Sequence, residues 1–267
     1  MKRLKKIAFV ALWVGLLLGL LFTMGFVDKE QDALLCKELK VDVSQDGDLG
    51  FLDNIDVTKL INERGPVVGQ PKSAVDVTAI EKALNSHPDI ANAEVFMSID
   101  GEVKVQVKQR KPVVRVINAD GESYYIDSEG KLMPLSEKYS AKVLVVNGAI
   151  AEPYSKRYMY SISDIGKDSL LDATSILDEI YAMTNYINAD DFWKAQVQQI
   201  YVNSDRDMEI VPLAGDQKII FGDTANMAEK FNKLMIFYQQ GLNTTGWWNK
   251  YSTINLKFKN QIVCTKK

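Results

Sequence analysis

Residues 76–107 read DVTAIEKALNSHPDIANAEVFMSIDGEVKVQV, and two periods meet inside them. Val77, Ile80 and Leu84 recur at helical spacing, Asp76 stands where an N-cap oxygen is wanted, and Pro88 ends the run. The spacing predicts a helix. From Glu94 the period drops to two: Val95, Met97 and Ile99 alternate with other residues, and Val103, Val105 and Val107 repeat the pattern after Asp100-Gly101. Two strands follow, joined by the type I′ turn that Asp-Gly favours, with Val95, Met97 and Ile99 facing Val103, Val105 and Val107.

Upstream, LKVDV at residues 39–43 alternates as a short strand, and IDVTKLINERG at residues 55–65 is helical, apolar at Val57, Leu60 and Ile61 and stopped by Gly65-Pro66. Strand, helix, helix, strand, strand within residues 39–111 makes a small α+β domain with its helices on one sheet face. Pro112, which has no N–H, breaks that ladder. Beyond it, residues 113–117, 123–126, 131–133 and 142–146 are short strands at hairpin spacing, with turns at Asp120-Gly121 and Ser128-Glu129-Gly130. Residues 168–187 are expected to be helical, with Leu170, Thr174, Leu177 and Tyr181 on one stripe, and DFWK at residues 191–194 adds a turn. Three strands, VQQIYV, MEIVPL and QKIIF, lead to a helix over residues 224–240 on which Met227, Phe231, Leu234 and Tyr238 align. The chain ends in YSTINLKFKNQIVCTKK, residues 251–267. There Ile254, Leu256 and Phe258 alternate with Asn255, Lys257 and Lys259, which predicts a last strand over Thr253 to Phe258, paired on one side and open on the other. Residues 112–267 thus form a mixed β-domain with two helices.

The N-terminus differs in kind. Lys2, Arg3, Lys5 and Lys6 precede 21 uncharged residues, 7–27, enough helix to span a bilayer core. A cleaved signal peptide has a shorter apolar region and a small-residue cleavage site, for which Thr23-Met24-Gly25 is a poor candidate. The basic cluster faces Asp28, Glu30 and Asp32 across the span. The positive-inside rule therefore puts residues 1–6 in the cytoplasm and everything after Val27 outside, beginning with a juxtamembrane linker over residues 28–38. The exported part carries 28 Lys+Arg against 35 Asp+Glu, a net charge of −7, which is the wrong sign for nucleic acid. Cys36 and Cys264 are the two cysteines; a disulfide and two free thiols both remain open from sequence.

Chemistry-bearing patterns are few. Residues 42–53, DVSQDGDLGFLD, place Asp42, Ser44, Asp46, Asp48 and Asp53 at calcium-loop spacing with Gly47 at the turn, but only the exiting helix of an EF-hand is visible. The competing reading is a strand followed by a polar turn, with no metal. His87, the sole histidine, sits at a helix end without partners for zinc or triad chemistry. Asp190-Asp191 reads as a helix start, where carboxylates complement the dipole. No Gly-rich phosphate loop, Gly-x-Ser-x-Gly elbow or Cys-x-x-Cys pair occurs, so the chain reads as non-catalytic and without a cofactor. Trp247-Trp248 beside Tyr251 is either corner filling or a set of binding anchors.

Several features occur together in residues 80–136: the Ile80-Glu81 helix ending at Pro88, Ile90 and Ala93-x-Val95, the Gly101 hairpin, Gln109-Arg110-Lys111-Pro112-Val113, and Tyr125-Ile126-Asp127 with Gly130 and Pro134. In this order they resemble the core of the FtsQ/DivIB bacterial cell-division family. The N-terminal anchor and the terminal YSTINLKF are similar to that family as well. The resemblance implies a bitopic inner-membrane protein at the division septum, with a POTRA-like βααββ domain beside the membrane and a β-domain ending in a partner-binding strand. It implies a scaffold without an active site, which holds FtsB- and FtsL-like single-span proteins and helps control the septal peptidoglycan synthase. On this sequence the implied partner-binding residues are Trp248, Tyr251, Thr253, Ile254, Asn255, Leu256, Lys257 and Phe258. Two departures are the six-residue cytoplasmic tail and the calcium-like loop. The alternative reading, a POTRA-bearing secretion or outer-membrane-assembly factor, would carry POTRA repeats or a barrel of alternating strands, and neither pattern is visible.

Overall fold

The computed structural model describes residues 12–19, 34–44, 49–154, 161–165 and 175–267. Contacts divide the chain into two units, residues 1–109 and 110–267. Most of the span expected over residues 7–27 lies outside the described residues; residues 12–19 within it are helical. Among the described residues no helix is long and apolar enough to cross a membrane.

The first unit contains strand β1 (Glu38–Ser44), helices α1 (Asn54–Asn62) and α2 (Val77–Asn85), and strands β2 (Ile90–Met97) and β3 (Glu102–Gln109). Its sheet runs β1-β3-β2, with β1 parallel and β2 antiparallel to β3. Both helices start on carboxylate caps. Asp53 accepts from the Asp56 amide at 2.8 Å while Asp56 reaches back to the Asp53 amide, and Asp76 accepts from the Ala79 amide at 2.9 Å. Val57, Ile61, Ile80 and Leu84 from the helices pack against Val95, Val103, Val105 and Val107 from the sheet, all buried. Each such side chain contributes about 1.5–3 kcal/mol by leaving water. Truncating Leu84 to Ala would cost about 2–5 kcal/mol.

The hairpin departs from the sequence reading. Ser98, not Ile99, pairs with Glu102, so the loop has three residues, and only Gly101 is left-handed (φ +90°). That is a type I turn followed by a glycine bulge in place of a type I′ turn. The register consequently sets Met97 opposite Val103, Val95 opposite Val105 and Ala93 opposite Val107, while Ile99 is 77% exposed at the loop tip. Gly101 is required for space as well: a Cβ there would meet the Leu35 carbonyl oxygen at 2.7 Å.

The second unit holds a nine-stranded mixed sheet. Its strands are β4 (Pro112–Ile117), β5 (Ser123–Asp127), β6 (Leu132–Met133), β7 (Leu144–Gly148), β8 (Val197–Val202), β9 (Met208–Pro212), β10 (Lys218–Gly222), β11 (Tyr251–Asn255) and β12 (Val263–Lys266). In space they run β12-β11-β10-β9-β8-β7-β4-β5-β6. Helices α3 (Leu177–Asn188), α4 (Asp191–Gln196) and α5 (Met227–Ile236) bury Ile180, Met183, Trp193, Phe231 and Leu234 against the sheet residues Val114, Val116, Val146, Ile200, Ile210, Ile219 and Phe221. Helix α3 starts later than its apolar stripe suggests. Ser175 and Ile176 are not helical, because the buried Glu152 carboxylate takes the Ile176 amide at 2.8 Å. Leu170 and Thr174 lie outside the described residues. Asp190 caps α4 through the Phe192 and Trp193 amides at 2.9 and 3.0 Å, as a helix start requires.

The end of the chain corrects the reading of an open last strand. β11 stops at Asn255 and pairs on both sides: parallel to β10, and antiparallel to β12 with Ile254 opposite Cys264 and Asn255 opposite Val263. Leu256 is buried and its amide still reaches the Ile220 carbonyl at 2.9 Å, but Phe258 leaves the row and is 45% exposed. The chain reverses around Asn260, which adopts the left-handed conformation at φ +61°. Residues 263–266 then return as the sheet edge. Cys36 and Cys264 are both free; Cys36 is buried in the first unit, and Cys264 is half-buried in β12, where burial raises its thiol pKa.

Candidate partner-binding edge

Open strand edges expose unpaired N–H and C=O groups, and each sheet here has two. In the middle of β2, groups that face away from β3 are already taken by α2. The Asn85 side chain donates to the Ala93 carbonyl at 2.9 Å and accepts from the Ala93 amide at 2.8 Å, and Glu81 accepts from the Val95 amide at 3.0 Å. Asn85 thus imitates one residue of an added strand. On β1 the Val43 amide donates to the Asn54 side chain at 3.2 Å. In the second sheet, β6 is two residues long and is followed by Pro134, which has no N–H to offer.

β12 is different. Its last inward bond runs from the Lys267 amide to the Lys250 carbonyl at 3.1 Å. Alternation along an antiparallel strand therefore turns the main-chain groups of Lys266 and Cys264 outward. Ile262 and Cys264 pack toward the core, while Val263 is 41% exposed on the opposite face. The turn before β11 stands at the Lys267 end of this edge. There Trp247 is 44% exposed, and the Lys250 ammonium lies 3.2 Å from the centre of its ring. The strand around this edge is well anchored. Lys257 lies across Gly222 and pairs with Asp207, which raises the lysine's pKa, and Lys233 donates to the Phe258 carbonyl at 3.0 Å.

The residues singled out in the sequence are distributed across this corner in distinct roles. Ile254 and Leu256 are core residues, and Thr253 and Asn255 are half-buried in the internal strand β11. Trp248 turns inward: its ring centre is 5.1 Å from that of Tyr238, and its indole N–H donates to Asn243 at 3.2 Å. Tyr251 is half-buried between Phe237 and Trp247 at 6.2 and 6.4 Å. Lys257 is committed to Asp207. The exposed ring is Trp247, and the exposed main chain belongs to β12. The Trp-Trp doublet signalled the corner but not which ring faces out.

The calcium-like pattern does not come together among the described residues. Asp42 and Ser44 lie in β1, and Asp53 is spent on the α1 cap; Asp46 and Asp48 lie outside the described residues. His87 is half-buried at the end of α2, with Nδ1 accepting from the Asp89 amide at 3.3 Å.

With this geometry in place, comparison with known families is direct. Residues 34–108 match the POTRA-like domain, and residues 111–265, more than half of the chain, match the domain described as FtsQ/DivIB, C-terminal related. The chain belongs to the FtsQ/DivIB family. FtsQ/DivIB-like proteins are non-catalytic structural proteins of cell division, and their POTRA-like and C-terminal domains are extracytoplasmic. No curated protein matches the chain.

Proposed function

We propose that this protein is a bitopic scaffold of the bacterial division complex, which receives a strand from an FtsB- or FtsL-like single-span partner on β12 and so helps control septal peptidoglycan synthesis. Residues 7–27 anchor it in the inner membrane with residues 1–6 in the cytoplasm, and the acidic bulk of the chain works outside. The observation that carries the reading is the contrast among the sheet edges: helix side chains bond outward groups of both POTRA-like edges and β6 is blunt, whereas among the described residues no side chain takes the outward amides of Cys264 and Lys266, and only the Lys266 carbonyl receives a long bond, 3.5 Å, from the Ser252 hydroxyl. In strand addition, main-chain bonds supply affinity and flanking side chains supply specificity. Here Val263 and Trp247 offer apolar contact, and Lys259 and Lys266, both exposed, favour acidic residues in the added strand. This relocates the interface by one strand from the internal residues Thr253 to Asn255.

A proline scan along β12 tests the proposal. Lys266→Pro removes an outward N–H and leaves the β11 pairing intact, so partner affinity measured by calorimetry on the full chain falls about tenfold or more while the melting temperature holds. Thr265→Pro removes an inward N–H and lowers stability first. Unchanged partner affinity in a folded Lys266→Pro variant would move the interface elsewhere.

A further inference from the structure

In the middle of the second sheet, four strands and more from β12, three parallel neighbours, β4, β7 and β8, begin side by side. Their starts open onto a groove of about 600 Å3, within the roughly 300–1,000 Å3 range of sites that enclose a ligand. The floor is apolar, made by Val113, Val143, Leu144 and Val197, with the last turn of α3 closing one wall. Among the described residues, every charged side chain that lines the groove is a lysine: Lys111, Lys142 and Lys194. All three are exposed, and none makes an ion pair among the described residues. The exported chain as a whole carries a net charge of −7, so a carboxylate-free cluster of three lysines around an apolar floor runs against its composition.

We propose that this groove binds a short extended acidic segment of a partner protein, its carboxylates meeting Lys111, Lys142 and Lys194 while an apolar side chain between them enters the floor. Positive rim and apolar floor together ask for a ligand that alternates the two chemistries, and an extended peptide does so at every second residue. The groove is concave with its apolar residues recessed, whereas an anionic membrane meets a protein through protruding groups; the shape favours a peptide. Asn188 adds direction, since its amide already donates to the Val113 carbonyl at 3.4 Å and its own oxygen remains an acceptor for peptide N–H. The groove is separate from β12, and the inference does not depend on strand addition there.

The test uses the full chain in a non-ionic detergent and a fluorescent acetyl-Glu-Leu-Glu-Leu-Glu-amide probe, followed by anisotropy. Binding is expected to saturate, to weaken at higher salt, and to be absent for the matching Lys-Leu peptide. The combined variant Lys111→Gln, Lys142→Gln, Lys194→Gln should lower affinity about tenfold at an unchanged melting temperature, both proteins being compared in a Lys266→Pro background so that β12 does not take the probe. If the combined variant fails to fold, the single Lys142→Gln variant is expected to weaken binding by about twofold to threefold. Absence of saturable binding to the wild-type chain, or binding that survives removal of the lysines, overturns the proposal. So does capture of phosphatidylglycerol vesicles by the same lysines in place of the peptide.

Discussion

The POTRA-like sheet and the nine-stranded sheet treat their outer strands in opposite ways. The former lends side chains from its own helices to its edges: Asn85 and Glu81 for β2, Asn54 for β1. Among the described residues the latter leaves the outward amides of β12 without a side-chain partner, although the surrounding corner is pinned by Lys257 to Asp207 and by Lys233 to the Phe258 carbonyl. Both are small strands at a surface, so exposure alone does not separate them. What separates them is whether a neighbouring helix carries a polar side chain at the height of the outward peptide groups. An edge already hydrogen-bonded gains little from a new strand, and an edge held rigid with its amides unpaired gains new main-chain bonds there.

The largest expected effect comes from unplugging the closed edge. Asn85→Ala with Glu81→Ala removes three hydrogen bonds to the β2 main chain, about 1 kcal/mol each. Amide exchange at Ala93 and Val95 should accelerate by roughly a hundredfold, with a concentration-dependent rise in self-association by sedimentation. Slow exchange at both amides in the double variant would mean that something else closes that edge.

This contrast was only partly legible in the sequence. Strand β3 declares itself because valine alternates with polar and charged residues, β2 by the alternation of Val95 and Met97 before the turn, and α1 and α2 because Asp53 and Asp76 precede helical stripes. The glycine-bulge loop was misread because Asp-Gly serves two turn types, and loop length, a tertiary outcome, decides between them. The edge β12 was missed because Val263 to Lys266 is four residues long and follows a turn made by a left-handed asparagine, a weak local signal. Trp248 was preferred to Trp247 for a related reason. Helix α5 runs into a π-helical stretch, Phe237–Leu242, and then a 3-10 turn, Trp247–Asn249, so the stripe through Phe231, Leu234 and Tyr238 loses its phase before it reaches the doublet. The edge caps on β2 were unreadable in principle: nothing local says that Asn85 will lie beside Ala93.

The smallest effect concerns the pinned corner. Asp207 holds the Lys257 ammonium in its charged form and raises its pKa. Stabilisation from that pair is therefore complete below the lysine's unfolded pKa and disappears as pH rises through the folded one. Lys257→Gln should lower the melting temperature slightly at neutral pH and low salt, and not at all in 1 M salt or above the raised pKa. A difference that persists in strong alkali would show that Lys257 acts through its packing over Gly222 instead of its charge.

The account stands on β12 receiving a partner strand while β2 stays closed, and residue-resolved hydrogen exchange reads both edges at once. The extracytoplasmic segment of an FtsB-like partner is added to the full chain, and amide exchange is followed by NMR. The outward amides of Cys264 and Lys266 should become protected by about tenfold or more, and those of Ala93 and Val95 should stay at their free-state rates. Protection that appears at Ala93 and Val95 instead, or a saturated complex in which Cys264 and Lys266 exchange as before, would contradict it.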